Sequence, residues 1–138
     1  MNHAVVIAGT GSVLPEEIIP NSAFLDREFM DENGQPFPYP NEVIIQKFQQ
    51  ITEIVERRYA RADQNSSDLG TEAAQKALQQ AGWNPEDLDL IIVGQNYGDI
   101  DLGTRRIDQL PSIASRIKHN LGVVNPKTVA FDVLAGCP

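Results

Sequence analysis

The sequence predicts an α/β domain built on a largely parallel sheet. Three apolar, β-branched runs point to it: AVVIA within His3 to Ala8, LDLIIV over 88–93, and TVAFDV over 128–133. Segments with helical spacing separate them, and short continuous apolar runs of this kind suit parallel strands covered on both faces. The last run leads directly into Leu134-Ala135-Gly136-Cys137-Pro138, which holds the lone cysteine of the chain.

Taken in order, the first run leaves its sheet at Gly9-Thr10-Gly11-Ser12. This tetrapeptide lacks the third glycine of a dinucleotide fingerprint and the lysine of a P-loop, so it reads as a structural turn. Asn21 to Met30 is expected to form a short helix capped by Asn21. Asp31 to Pro40 is a loop, since three prolines and a glycine oppose regular pairing. Ile44, Phe48, Ile51 and Val55 then fall on one face of a helix starting near Asn41. Arg57 to Ala60 reads as a short extended piece. A second helix is capped by Ser66 or Ser67 and carries Leu69, Ala73, Ala77, Leu78 and Ala81 on one side. Gly82 ends it.

Asn84-Pro85-Glu86-Asp87 supplies a cap, an N1 proline and two acids, enough for one more turn. After the strand over 88–93 comes a polar loop from Gly94 to Leu110, longer than most connections. Pro111 to Leu121 reads as a third helix with Ala114, Ile117 and Leu121 inward. Arg116, Lys118 and His119 fall in its second half, where the dipole favours cations, and Gly122 closes it.

The 138 residues suffice for one compact domain, and 41% hydrophobic with 22% charged residues is ordinary for a globular chain. A formal charge of -8 argues against phosphate-backbone binding and hence against nucleic acid. One cysteine rules out an internal disulfide and a multi-cysteine metal site, and His3 and His119 have no ligand spacing around them, so no metal is expected. No basic n-region or long apolar core opens the chain, and no apolar run approaches the roughly 20 residues of a membrane helix. The expectation is a cytoplasmic protein without a membrane span.

Cys137 follows a strand and two small residues and precedes a proline, the residue favoured at helix position N1. That places it at an expected strand-to-helix elbow, where the helix dipole and free N–H groups stabilise a thiolate and the oxygen of a bound acyl group. A thiol with a pKa of about 8.5 is only a few per cent ionised at neutral pH, so such a location matters for nucleophilicity. The residues alone leave two readings open, an inert buried cysteine and an activated nucleophile.

Four segments in order resemble the β-ketoacyl-acyl-carrier-protein synthase III branch of the thiolase superfamily. IAGTGSVLPEEIIPN is similar to its first strand and loop, and SSDLGTEAAQKALQQAGWNPEDLDLIIVG to its next helix, turn and strand. LPSIASRIKHNLG resembles the helix before the cysteine strand, and FDVLAGCP the nucleophile elbow. The resemblance implies a thiolase-like αβαβα layered fold, with residues 1–138 covering most of its N-terminal half. It implies Cys137 as the catalytic residue, acylated from a thioester and then attacked by the carbanion of a decarboxylated malonyl donor. It implies acyl-coenzyme A or acyl-carrier-protein thioesters as substrates, no resident cofactor, a homodimer, and a C-terminal half, beyond Pro138, that carries a histidine and an asparagine.

Two positions depart from the family. Where it has a tryptophan and an Arg-Thr-Gly-Ile motif for coenzyme A, this chain reads Ile51-Thr52-Glu53-Ile54, which favours delivery on a carrier protein. Proline after the cysteine is not the family's usual residue. Among the remaining polar residues, Asp99 and Asp101 read as a solvated acidic loop, with a base near a neighbouring subunit's cysteine as the rival. Arg105-Arg106 reads as solvated, with a carrier-protein contact as the rival, Trp83 as packing, and Asp132 as a hydrogen-bonded structural acid. Besides the condensing enzyme, two readings stay open: a same-fold acyltransferase or specialised condensing enzyme, and a non-catalytic partner subunit.

Overall fold

The computed structural model describes residues 4–101 and 103–134; Cys137 and Pro138 lie outside them. The chain divides into two units, one of residues 15–61 and one of residues 62–134 with the segment 4–14.

In the first unit, β1 (Glu17–Pro20) pairs antiparallel with β2 (Glu56–Tyr59), Ile18 opposite Arg58 and Ile19 opposite Arg57. The helix expected over Asn21 to Met30 is a single 3-10 turn, Asn21–Phe24. Asn21 does not cap it, because its side chain is engaged elsewhere. Its Nδ2 donates to the Ile54 carbonyl at 2.8 Å and to Gln49 Oε1 at 3.2 Å, and its Oδ1 accepts from Arg57 at 2.6 Å. The proline-rich loop is organised by Asp31, whose Oδ1 accepts from the amides of Asn33 and Gln35 at 2.9 and 2.8 Å. Helix α1 (Asn41–Thr52) buries Ile44 and sets the ring of Phe48 edge-on to Phe29 at 5.7 Å. It stops at Glu53, which takes φ 58°, so Val55 falls outside the helical face expected of it.

The second unit is held by helix α2 (Ser66–Ala81), strand β3 (Leu90–Gln95), helix α3 (Ile113–Asn120) and strand β6 (Val129–Leu134), with a small hairpin, β4 (Asp99–Ile100) and β5 (Ile107–Asp108), between β3 and α3. The parallel pairing expected of the last two long strands is present: β3 and β6 run in register from Leu90–Val129 to Gln95–Leu134. Alternate residues of both strands turn inward. On the other face Leu90, Ile92, Val129, Phe131 and Val133 stay substantially exposed. The buried core gathers on α3, where Ile113, Ala114 and Ile117 are almost fully enclosed. Gly70 of α2 permits the close approach of α3, since a Cβ there would lie 2.7 Å from Ile117 Cδ1.

Both helices end as their glycines predict. Gly82 and Gly122 adopt φ 67° and 74°. The amides of Trp83 and Val123 then bond back to the carbonyls of Leu78 and Lys118, the Schellman arrangement. The start of α2 differs from expectation: Asn65, not Ser66 or Ser67, is the cap, in a capping box with Asp68, whose Oδ2 accepts from Asn65 N at 2.8 Å. The turn after Asn84 forms as a 3-10 turn, Pro85–Asp87, with Asn84 accepting from Glu86 N.

The first run is a correction. Residues 4–8 pair with no strand among the described residues, and Val5, Val6 and Ile7 are 98%, 77% and 87% exposed. The segment lies instead against α2. Thr10 N donates to Gln80 Oε1 at 2.5 Å, Lys76 Nζ to the Ser12 carbonyl at 3.4 Å, and a Cβ on Gly9 or Gly11 would strike the α2 backbone at Ala77 or Ala73. The segment's polar contacts thus go to helix side chains rather than to a neighbouring strand.

Candidate active site

The C-terminal ends of parallel strands are where open α/β sheets place their reactive groups. Here those ends are Gln95 on β3 and Leu134 on β6, which face each other in the ladder. Cys137 lies three residues past Leu134 in the sequence, and its elbow lies outside the described residues. What the structure does show is how the strand leading to it is held.

Asp132 is the centre of that hold. Its side chain reaches the start of α3 and accepts from Ile113 N and Ala114 N, both at 2.8 Å, while Ser112 Oγ accepts from Ser115 N at 3.1 Å. The amides of the first three residues of α3 are therefore satisfied. Gln95 adds a third bond, its Nε2 donating to Asp132 Oδ2 at 3.0 Å, while its Oε1 accepts from Gly98 N. Asp132 is thus the hydrogen-bonded structural acid the sequence indicates. Bonds of amides to a carboxylate are worth roughly 1.5–3 kcal/mol each.

The segment from Gly94 to Leu110, expected as an irregular loop, contains the β4–β5 hairpin, and Asp99 is a second correction. It is 2% exposed rather than solvated. Ser67 bonds it twice, through N at 2.9 Å and Oγ at 2.6 Å, and Arg116 approaches it at 3.4 Å. That use of Ser67 is why Asn65 takes over the capping of α2, and Asn65 Oδ1 also accepts from Ile100 N at 3.2 Å.

Arg116 is a third correction. The helix begins at Ile113, so Arg116 stands in its first half and is not a cation complementing the C-terminal dipole. Its guanidinium meets Asp108 at 2.8 Å and donates to the carbonyls of Leu110 and Pro111, which a cis peptide joins. Sequence reasoning missed this hub and Gln95. A cation near a helix start is the one signal that calls for nearby acids.

Asp101 is exposed, as expected, and its carboxyl is held below the usual carboxylate range by hydrogen bonds from the Thr104 backbone and hydroxyl. Arg105 and Arg106 are exposed, and Trp83 is half-exposed beside the groove between α2 and β3. In the other unit, Ile51-Thr52-Glu53-Ile54 forms the end and cap of α1, with Thr52 Oγ1 donating to the Phe48 carbonyl and accepting from Ile54 N. Arg57 does not substitute for the absent arginine there: it lies over the Phe24 ring at 4.9 Å and bonds to Asn21.

No protein-family model matches the chain. It is 40% identical over 134 residues to the β-ketoacyl-[acyl-carrier-protein] synthase III of Caldanaerobacter subterraneus subsp. tengcongensis, a match covering 97% of this chain and 34% of that protein. The chain is homologous to the β-ketoacyl synthase III condensing enzymes. It spans about a third of the length of the curated relatives it matches. Among solved structures, the 3-oxoacyl-[acyl-carrier-protein] synthase III of Aquifex aeolicus superposes with a TM-score of 0.62 at 26% identity, covering 92% of this chain and 33% of that one. OleA of Xanthomonas campestris, with bound lauric acid and lauroyl-CoA, gives 0.67 at 26% identity over the same shares. The fold is accordingly that of the thiolase-type synthase III enzymes, and the β3–β6 pair with α2 and α3 is part of it.

Proposed function

We propose that this chain carries the nucleophile of an acyl-thioester condensing enzyme of the 3-oxoacyl-acyl-carrier-protein synthase III type. The observation that supports it most is the match, at 40% identity over 97% of the chain, to an enzyme of that name. The Cys137 thiolate attacks the carbonyl of an acyl thioester, and the coenzyme A or carrier-protein thiol leaves with a proton. A malonyl thioester then loses carbon dioxide, its carbanion forms a carbon–carbon bond to the acyl carbonyl, and the cysteine sulfur departs as thiolate. The backbone N–H of Cys137 supplies one donor to the carbonyl oxygen during both additions. The histidine and asparagine that steady the carbanion come from the C-terminal half of the family's fold, and the working unit is a homodimer.

Ile51-Thr52-Glu53-Ile54 favours an acyl group brought on a carrier protein, since the stretch offers no guanidinium to a nucleotide phosphate. The likeness to OleA, whose structure holds lauroyl-CoA, favours as a second reading a same-fold enzyme that takes its acyl group from coenzyme A. The intact protein, incubated with acyl-carrier protein or acyl-coenzyme A and digested, is expected to show the acyl mass on Cys137. Cys137→Ala is expected to remove that mass and to lower turnover by at least about 1000-fold. Acylated wild-type protein that releases no carbon dioxide from a malonyl donor is an acyltransferase, and wild-type protein that is never acylated is a partner subunit.

A further inference from the structure

We infer that Gln95 is a positioning residue for the Cys137 thiol, acting through Asp132; this rests on the reading of Cys137 as the nucleophile. Gln95 ends β3 opposite Leu134, the last described residue of β6. Its carboxamide is used at both ends, Nε2 donating to Asp132 Oδ2 at 3.0 Å and Oε1 accepting from Gly98 N. Asp132 in turn holds Ile113 N and Ala114 N at the start of α3. Gly98 leads directly into Asp99, itself fixed by Ser67 and Arg116. One amide therefore joins the cysteine strand, the neighbouring strand, the start of α3 and the hairpin.

Asp132 stands on β6 two residues before Leu134, and through it these side-chain bonds tie the strand that runs on to Cys137 to β3, to the start of α3 and to the hairpin. Only a carboxamide meets both partners. A carboxylate of the same shape accepts from Gly98 but opposes Asp132, and a thioether of similar size does neither. A thiol displaced from an anion-stabilising elbow loses thiolate character, and with it reactivity at neutral pH.

The test compares Gln95→Met, Gln95→Glu and the pair Gln95→Glu/Asp132→Asn in the intact protein. The rate of Cys137 alkylation by iodoacetamide is followed from about pH 5 to about pH 9, alongside the thermal midpoint. Gln95→Met, which adds no charge, is expected to slow alkylation at neutral pH by about 10-fold and to raise the pH of half-maximal rate. Gln95→Glu is expected to do at least as much. In the pair, the new amide at 132 donates to the new carboxylate at 95, so the rate is expected to recover to within about threefold of wild type, with one bond to α3 still lost.

Unchanged alkylation profiles in Gln95→Met and Gln95→Glu with a lowered thermal midpoint would overturn the inference, leaving Gln95 a structural residue only. If Gln95→Met does not fold, Gln95→Glu against the pair decides: no recovery in the pair sinks the idea. Alkylation does not depend on acyl chemistry. Wild-type protein that is alkylated in a Gln95-dependent way but never acylated defeats the proposed function and supports the positioning, and the reverse result defeats the positioning alone.

Discussion

Asp99 and Arg116 show how much a single side chain can depend on partners distant in sequence. Asp99 has almost no contact with water, and Arg116 is the cation that faces it, shared with Asp108. Removing one member of a buried pair leaves the other uncompensated, at a cost of about 3 kcal/mol. Arg116→Leu is therefore expected to lower the unfolding free energy of the intact protein by that amount, read as a lower urea midpoint with an unchanged slope, and an unaltered midpoint would show the pair to be idle. Neither partner was legible in the sequence, because Ser67 and Arg116 stand 32 and 17 residues away on opposite sides of Asp99 and no local spacing links them. Asp132 was legible for the opposite reason: an acid inside an apolar strand has to find donors. Asp101 is a simpler case. Its folded pKa is depressed by Thr104, so its contribution is complete above the ordinary carboxylate range and disappears as pH falls through the lowered value. Acid titration by NMR is expected to show the Thr104 amide shifting with a midpoint below that of a free aspartate, and Asp101→Asn to abolish the shift.

Helix α2 illustrates the same contrast among elements. Its end was readable from Gly82, since few other residues accept φ 67° without strain. Its start was misplaced because two serines and an asparagine compete for the cap, and the choice is settled by Asp99 taking Ser67. Asp68→Ala is expected to cost about 1 kcal/mol by deleting one arm of the capping box, read as a lower thermal midpoint with cysteine chemistry intact. The β4–β5 hairpin carried no alternating apolar signal over its pairs of residues, Asp99–Ile100 and Ile107–Asp108. It exists because Asn65, Ser67 and Arg116 hold it, not because its own sequence favours a strand.

For the molecule as a whole, the decisive feature is the unaccompanied face of the parallel pair. Leu90 and Ile92 stand beside Val129 and Phe131 in the ladder, all four between 43% and 55% exposed. Parallel sheets in complete domains are covered on both faces, and contiguous apolar patches of this kind drive association. The 138-residue chain on its own is expected to bind the dye ANS and to self-associate, and Ile92→Lys with Phe131→Lys to reduce both. A monomeric chain with no dye binding would show that the face is covered in solution. The α/β class was readable because both apolar runs of the pair keep their identity in the structure, whereas the AVVIA run kept its composition and lost its pairing: that depended on neighbours the residues themselves do not specify.

The glycines on that same run have a geometric consequence. Gly9 rests against Ala77 and Ala81, and Gly11 against Ala73 and Ala77, so two residues of extended chain advance as four residues of α2 recede. Two extended residues span about 6.6 Å and four helical residues about 6 Å, close enough for the two repeats to mesh like teeth. Sliding by one tooth would bring Ile7 or Val13 to a notch that has no space for a side chain, so the pair of glycines indexes the segment along the helix and any insertion between them would jam it.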